Sequence, residues 1–127
     1  MLFLHKDEVL EIHRNLLEQF GGLPGLRDEG LLDSALLAAV NRRHYEGADL
    51  PACAATYAFH LTRNHPFADG NKRVGAAVAE IFLRLNRAQL AATNDEIVAL
   101  FLGIAAGTVP REEVERSFAG WTVSSAP

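Results

Sequence analysis

The run His65-Pro66-Phe67-Ala68-Asp69-Gly70-Asn71-Lys72-Arg73 passes at once into an apolar stretch of helical period, Val74 to Leu85. That junction limits what the chain can fold into. A polar loop that ends by opening a mostly apolar helix places the helix in a packed body and holds the loop rigidly. The first turn of such a helix leaves backbone N–H groups unpaired, beside the positive end of the helix dipole. This is an anion site, and phosphate is the usual anion. Lys72 and Arg73 stand at its mouth, His65 can accept a proton, and Asp69 can hold a divalent metal. Phe67 reads as an apolar peg that fixes the loop, and Pro66 stiffens the turn after His65. Singly, each residue has an ordinary reading: His-Pro and Gly-Asn are common in turns, and Lys-Arg on a first helical turn is usually a solvated face. The concentration of an imidazole, a carboxylate, a carboxamide and two cations in one short loop points to phosphate chemistry with a general base.

The rest of the chain reads as helix after helix. Val9, Ile12, Leu16, Leu17 and Phe20 give a helical spacing over Leu4 to Phe20, and Gly21-Gly22 ends it. Asp28 caps a second helix with Leu31, Leu32, Ala35, Leu36 and Val40 on its apolar face. Polar residues dominate Asn41 to Asp49, which predicts a surface loop edging the site. A third helix is expected from Pro51 to Arg63, buried on several sides, because Tyr57, Phe59 and Leu61 form no single stripe. His60 within it reads as a core or rim histidine rather than a metal partner of His65. The fourth helix spans about Asn71 to Asn86, with an apolar face of Val74, Ala77, Val78, Ile81, Phe82 and Leu85. Thr93-Asn94-Asp95-Glu96 is a capping box for a helix ending near Ala106 at Gly107. Pro110 opens the last helix, Arg111 to Ala119, Trp121 anchors the C-terminus, and the tail 122–127 is expected to fray. With no strong strand alternation, the fold class expected is all-α, a compact single domain over residues 1–127 with about six helices.

Composition narrows the function. A net charge of −4, from 12 Lys+Arg against 16 Asp+Glu, argues against a chain that coats nucleic acid. It also disfavours a helix-turn-helix reader, which needs a basic recognition helix. No apolar run is long enough to span a membrane, and Met1 to Asp7 lacks the apolar core of a signal peptide. The single cysteine, Cys53, excludes an internal disulfide, fits a reducing cytoplasm, and reads as a small core residue among alanines. A metal-dependent hydrolase built on His65, Asp69 and His60 would need one more ligand than the sequence offers.

The run from His65 to Arg73 resembles the signature of the Fic/Doc superfamily, His-x-Phe-x-Asp/Glu-Gly/Ala-Asn-x-Arg. Lysine before the arginine, here Lys72, is the form of the Doc (death-on-curing) branch, whereas Pro66 and Gly70 also match the adenylylating Fic branch. Gly25 to Leu32 resembles the early segment of Doc-type chains, and the resemblance covers essentially the whole chain. It implies a compact helical fold, and it places a substrate-side flap near Asn41 to Asp49.

The resemblance further implies that ATP binds with its phosphates against the loop. Gly70, Asn71, Lys72, Arg73 and the backbone N–H groups then hold phosphate oxygens, Asp69 holds Mg2+, and His65 accepts the proton of an attacking hydroxyl. Lys72 fills space that glycine would leave open to a diphosphate. In the Doc branch this goes with transfer of the γ-phosphate, to a threonine of elongation factor Tu, and with arrest of translation. The alternatives are protein adenylylation and a non-enzymatic antitoxin-binding module. The inhibitory motif of self-restrained Fic proteins, Ser/Thr-x-x-x-Glu-Gly/Asn, has no match: Thr93 is followed four residues on by Ile97, and Ser34 by Ala38. The resemblance therefore implies a separate antitoxin whose C-terminal segment folds on binding. It implies no direct nucleic-acid partner.

Overall fold

Local capping chemistry sets most of the element boundaries. In the computed structural model, which describes residues 1–125, the order is α1 (Lys6–Phe20), α2 (Glu29–Glu46), α3 (Leu50–Asn64), α4 (Asn71–Leu85), β1 (Ala88–Leu90), α5 (Asn94–Ala106), α6 (Arg111–Trp121) and β2 (Thr122–Ser124). Asp28 and Asp49 accept the backbone N–H of Leu31 and Ala52, both at 3.0 Å, and so start α2 and α3. Thr93 and Glu96 close the expected capping box on α5, and Gly107 ends that helix in the left-handed region.

The chain wraps around α3. Cys53, Ala54, Ala55, Tyr57, Ala58 and Leu61 are fully buried, and α2, α4, α5 and α6 all pack on this helix. Small side chains on α3 admit its neighbours closely, and the large groups come from them: Phe82 of α4 and Phe118 of α6 are both fully enclosed. Each such side chain contributes about 2–3 kcal/mol of hydrophobic stabilisation. The buried stripe of α4 is Val74, Gly75, Val78, Ala79, Phe82 and Leu83, while Ile81 and Leu85 are more than a third exposed. Burial pushes the Cys53 thiol pKa up, and its Sγ lies against the carbonyls of Ala39 and Ala48. That is a packing residue.

Two expectations need correction. Asn41 to Asp49 is not a loop: α2 runs through to Glu46, and Gly47 terminates it with a left-handed φ of 65°. Arg and Glu are good helix formers, so their polarity marked an exposed face and not a break. Arg42 pairs with Glu115 of α6 and Glu46, and bonds Thr56 of α3, which binds the last turns of α2 to the body. The second correction is at the C-terminus. Residues Thr122–Ser124 form β2, antiparallel to β1 with Ala88 opposite Ser124, Gln89 opposite Val123 and Leu90 opposite Thr122. Strands of three residues are too short for alternation to show in a sequence. Trp121 is partly buried and tilted against Phe118, as an anchor should be. Ala126 and Pro127, the last of the tail expected to fray, lie outside the described residues. Among the described residues no helix is long and apolar enough to cross a membrane.

Candidate active site

The loop between α3 and α4 is held by side chains and backbone from three directions. His65 ends α3 in the left-handed region, φ 49° and ψ 55°, a conformation that costs a non-glycine residue roughly 1 kcal/mol or more. Arg27 holds it there: Nε donates to the His65 carbonyl at 2.6 Å, and Nη2 donates to the Asn64 carbonyl at 2.9 Å. The backbone N–H groups of Arg27 and Asp28 both reach the Pro66 carbonyl, and Ala68 N–H reaches the Gly25 carbonyl. Leu26 and Phe67 form an isolated antiparallel bridge. Residues 21–28, which join α1 to α2, therefore strap the loop from outside. This segment edges the site, in place of the flap expected near Asn41 to Asp49.

Phe67 is only 1% exposed, and its ring stacks on His13 of α1 with centroids 3.8 Å apart. The carboxamide of Asn71 is turned back into the loop, accepting from Phe67 N–H and donating to Phe67 C=O, both at 3.0 Å. What Asn71 offers an anion is therefore its backbone N–H. Asp69 accepts from Gly70 N–H through Oδ1 at 2.9 Å and from Leu23 N–H through Oδ2 at 3.2 Å. Gly22 permits this approach. Its φ is 122°, and a Cβ there would lie 2.8 Å from Asp69 Oδ2.

Gly70, with φ 79°, caps α4 without any side-chain hydrogen bond, so the first-turn N–H groups remain open. The first turns of α1, α2, α5 and α6 carry acidic residues that complement the helix dipole. That of α4 carries none, and has Lys72 and Arg73 instead. Cations at a helix N-terminus are unfavourable by about 0.3–1 kcal/mol each, an arrangement that an anion seated at the helix start reverses. Lys72 and Arg73 are exposed, and the Arg73 guanidinium lies 4.5 Å from the centre of the Phe20 ring.

His65, Asp69, Gly70, Asn71, Lys72 and Arg73 line one open cleft of about 490 Å³, whose far wall is Ala105 of α5. Lys72 and Arg73 also border a second, more apolar groove of about 610 Å³ between α1, α4 and α5. His60 lies elsewhere: burial, then the Arg111 and Arg42 cations, lower its pKa, so it neighbours α2 and α6. Among the described residues no three His, Cys, Asp or Glu side chains come together as a metal cage. Asp69 alone suits a different mode. It is an exposed carboxylate beside an anion site, and Mg2+ is commonly held by one or two carboxylates plus substrate phosphates and water.

The sequence reading missed His13, Arg27, Gly22 and Leu23. His13 did carry a signal, a polar residue four positions after Val9 on the buried face of α1, where the other buried residue is Val9 itself. Arg27 lies in the Gly25 to Leu32 run already noted for its resemblance, but nothing local shows that it reaches forward to residue 65.

Comparison with known proteins gives the family. The family model described as Fic/DOC family matches residues 3–83, which takes in α1 to α3, the whole loop and most of α4. The chain is 33% identical over 110 residues to "Protein kinase doc" of Escherichia phage P1, covering 86% of each chain. It is 44% identical over 80 residues to "Toxin Doc" of Mycolicibacterium smegmatis, covering 60% of each. The chain belongs to the Fic/Doc family, on its Doc branch.

Proposed function

We propose that this chain is a Doc-type toxin that transfers the γ-phosphate of ATP to a hydroxyl of a protein target, a threonine of elongation factor Tu, and so arrests translation. The observation that carries the reading is the shared cleft: a histidine, a carboxylate, two cations and the open N–H groups of a helix start face one space. The names of both relatives, a protein kinase and a toxin, support it. In this reading His65 takes the hydroxyl proton as the oxygen attacks the γ-phosphorus. The bond to the bridging oxygen breaks and ADP leaves. The N–H groups at the start of α4, with Lys72 and Arg73, hold the charge that develops on the phosphoryl oxygens. Asp69 holds Mg2+, which neutralises phosphate charge and orients it.

Incubated with ATP and Mg2+, elongation factor Tu is expected to gain the mass of one phosphate on one threonine, read by intact and peptide mass spectrometry. A gain of one AMP instead would move the chain to the adenylylating mode that Pro66 and Gly70 also match. No mass gain, with antitoxin binding retained, would leave a non-enzymatic module.

A growth-arresting enzyme needs restraint, and we place a protein antitoxin in that role. The apolar groove supports this, because Phe20, Val98 and Leu102 on and around it are each about half exposed. A folding C-terminal segment of the antitoxin laid there would also cover Lys72 and Arg73. Arginine in place of Ala77 on the groove floor is expected to leave growth arrest intact but to weaken rescue by co-expressed antitoxin at least tenfold. Rescue as complete as for the unaltered chain would place the antitoxin elsewhere. High-level expression of the chain alone without any growth defect would count against the pair altogether.

A further inference from the structure

His13 lies on α1, 56 residues before Asp69, and is 5% exposed. Its ring makes two different contacts with the loop. One face stacks on Phe67, nearly parallel at 14°. Its edge meets the Asp69 carbonyl, with Nε2 3.0 Å from the oxygen. A carbonyl oxygen can only accept, so Nε2 carries the proton in this arrangement. The ring also lies beneath Gly70: a Cβ built there would sit 3.9 Å from Cδ2 and Nε2. Backbone bonds from Gly25, Arg27 and Asp28 of the strap hold Pro66 and Ala68, and side chains hold the other points of the loop. Arg27 fixes the His65 end, Asn71 fixes Phe67, and His13 fixes Asp69.

We infer that His13 is a positioning residue for the phosphate and metal end of the loop. Its Nε2–H sets the plane of the Asp69–Gly70 peptide. This one peptide carries the carboxylate on one side and the cap of α4 on the other. Leucine or phenylalanine would fill the space under the loop as well as imidazole does; only a donor also holds the carbonyl. If that bond is lost, the Asp69 carbonyl loses its donor, and the peptide plane shifts although Gly70 and Leu23 N–H still hold the carboxylate. The Asp69 carboxylate then moves relative to the first turn of α4, so that metal and phosphate are no longer aligned. The kinetic part of this inference rests on the phosphotransfer reading above; the loop geometry does not.

The test uses two variants that separate the contacts, with histidine NMR as a readout independent of activity. His13→Phe keeps the stack and removes the donor; His13→Gln keeps a donor and gives up the stack. In the unaltered chain the His13 ring nitrogens should show the Nε2–H tautomer, and the Gly70 amide resonance should move in His13→Phe but much less in His13→Gln. In the transfer assay, His13→Phe should raise the Mg2+ concentration for half-maximal rate several-fold and lower kcat about tenfold, with the melting temperature close to the parent's. His13→Gln should recover most of both. An Nδ1–H tautomer, or a Gly70 amide unmoved in His13→Phe, would overturn the inference whatever the activity. Unchanged Mg2+ dependence and kcat in an active His13→Phe protein would overturn it as well. A chain with the expected NMR signature that transfers phosphate to nothing keeps the loop inference and removes the phosphotransfer reading.

Discussion

Replacing His65 by asparagine leaves a folded chain whose transfer rate falls by about 10²–10⁴, a rise of roughly 3–5 kcal/mol in the barrier. The size follows from the role given to the ring, acceptance of a proton as the target hydroxyl attacks. The choice of asparagine follows from the backbone. With φ at 49°, His65 is in the left-handed region, which asparagine tolerates better than alanine. His65→Ala would add backbone strain to the loss of the base and mix two effects. The side chain is exposed, so little packing goes with it. Arg27 grips the main-chain carbonyl of residue 65 and not the ring, so the loop keeps its shape. Nucleotide affinity and melting temperature should therefore stay near the parent values while the single-turnover rate collapses. A rate for His65→Asn within a few-fold of the parent would remove His65 as the base. A parallel loss of nucleotide binding would recast it as a phosphate ligand.

Most of the scaffold was legible in the sequence because its boundaries are chemical and local. Asp28, the Thr93–Glu96 box and Gly107 each satisfy or release backbone groups within one turn, and each lies where it was read. The misses share a cause. The end of α2 is stabilised by Arg42 bonding Glu115, 73 residues away, and β1 pairs with a strand more than thirty residues further on. Partners so distant leave no periodicity behind. The site divides in the same way. The loop residues that line the cleft, His65 and Ala68 to Arg73, fall within one short run and could be picked out together. Those that hold them, His13, Gly22, Leu23 and Arg27, come from α1 and the strap, which no local pattern ties to the loop. Asn71 shows the limit from the other side. Its presence in the signature was read as phosphate binding, while its carboxamide is occupied by the Phe67 backbone. A motif records which residues a loop needs, not which of their groups hold the loop together and which stay open to the cleft.

The same division predicts that a methyl group hidden behind the site should damage it. At Gly75 α4 lies tight against α3: a Cβ there would clash with Thr62 Oγ1 and meet the Ala58 carbonyl oxygen at 3.2 Å and the Phe101 ring at 3.3 Å. Two effects compete in Gly75→Ala. Helix propensity favours alanine by up to about 1 kcal/mol. Overpacking a closed interface typically costs about 1–3 kcal/mol, and here one neighbour is main chain and cannot step aside by changing rotamer. The clash should win, with a net loss of about 1–2 kcal/mol and a melting temperature lower by roughly 5–10 °C. Transfer should fall further than the folded fraction does. Thr62 is within a turn of His65 and Gly75 is within about a turn of Asn71, so separating the helices there moves the base away from the phosphate site. A displacement of even part of an ångström is worth about tenfold in rate. Thr62→Ala supplies the control. Its hydroxyl is buried without a hydrogen-bond partner among the described residues, so deleting it forfeits only a methyl and relieves the shortest contact. In the double variant, stability and rate should both recover by more than half, a coupling of about 1 kcal/mol between two sites on facing helices. Strictly additive losses in the double variant would mean that the α3–α4 spacing at this point does not set the geometry of the cleft.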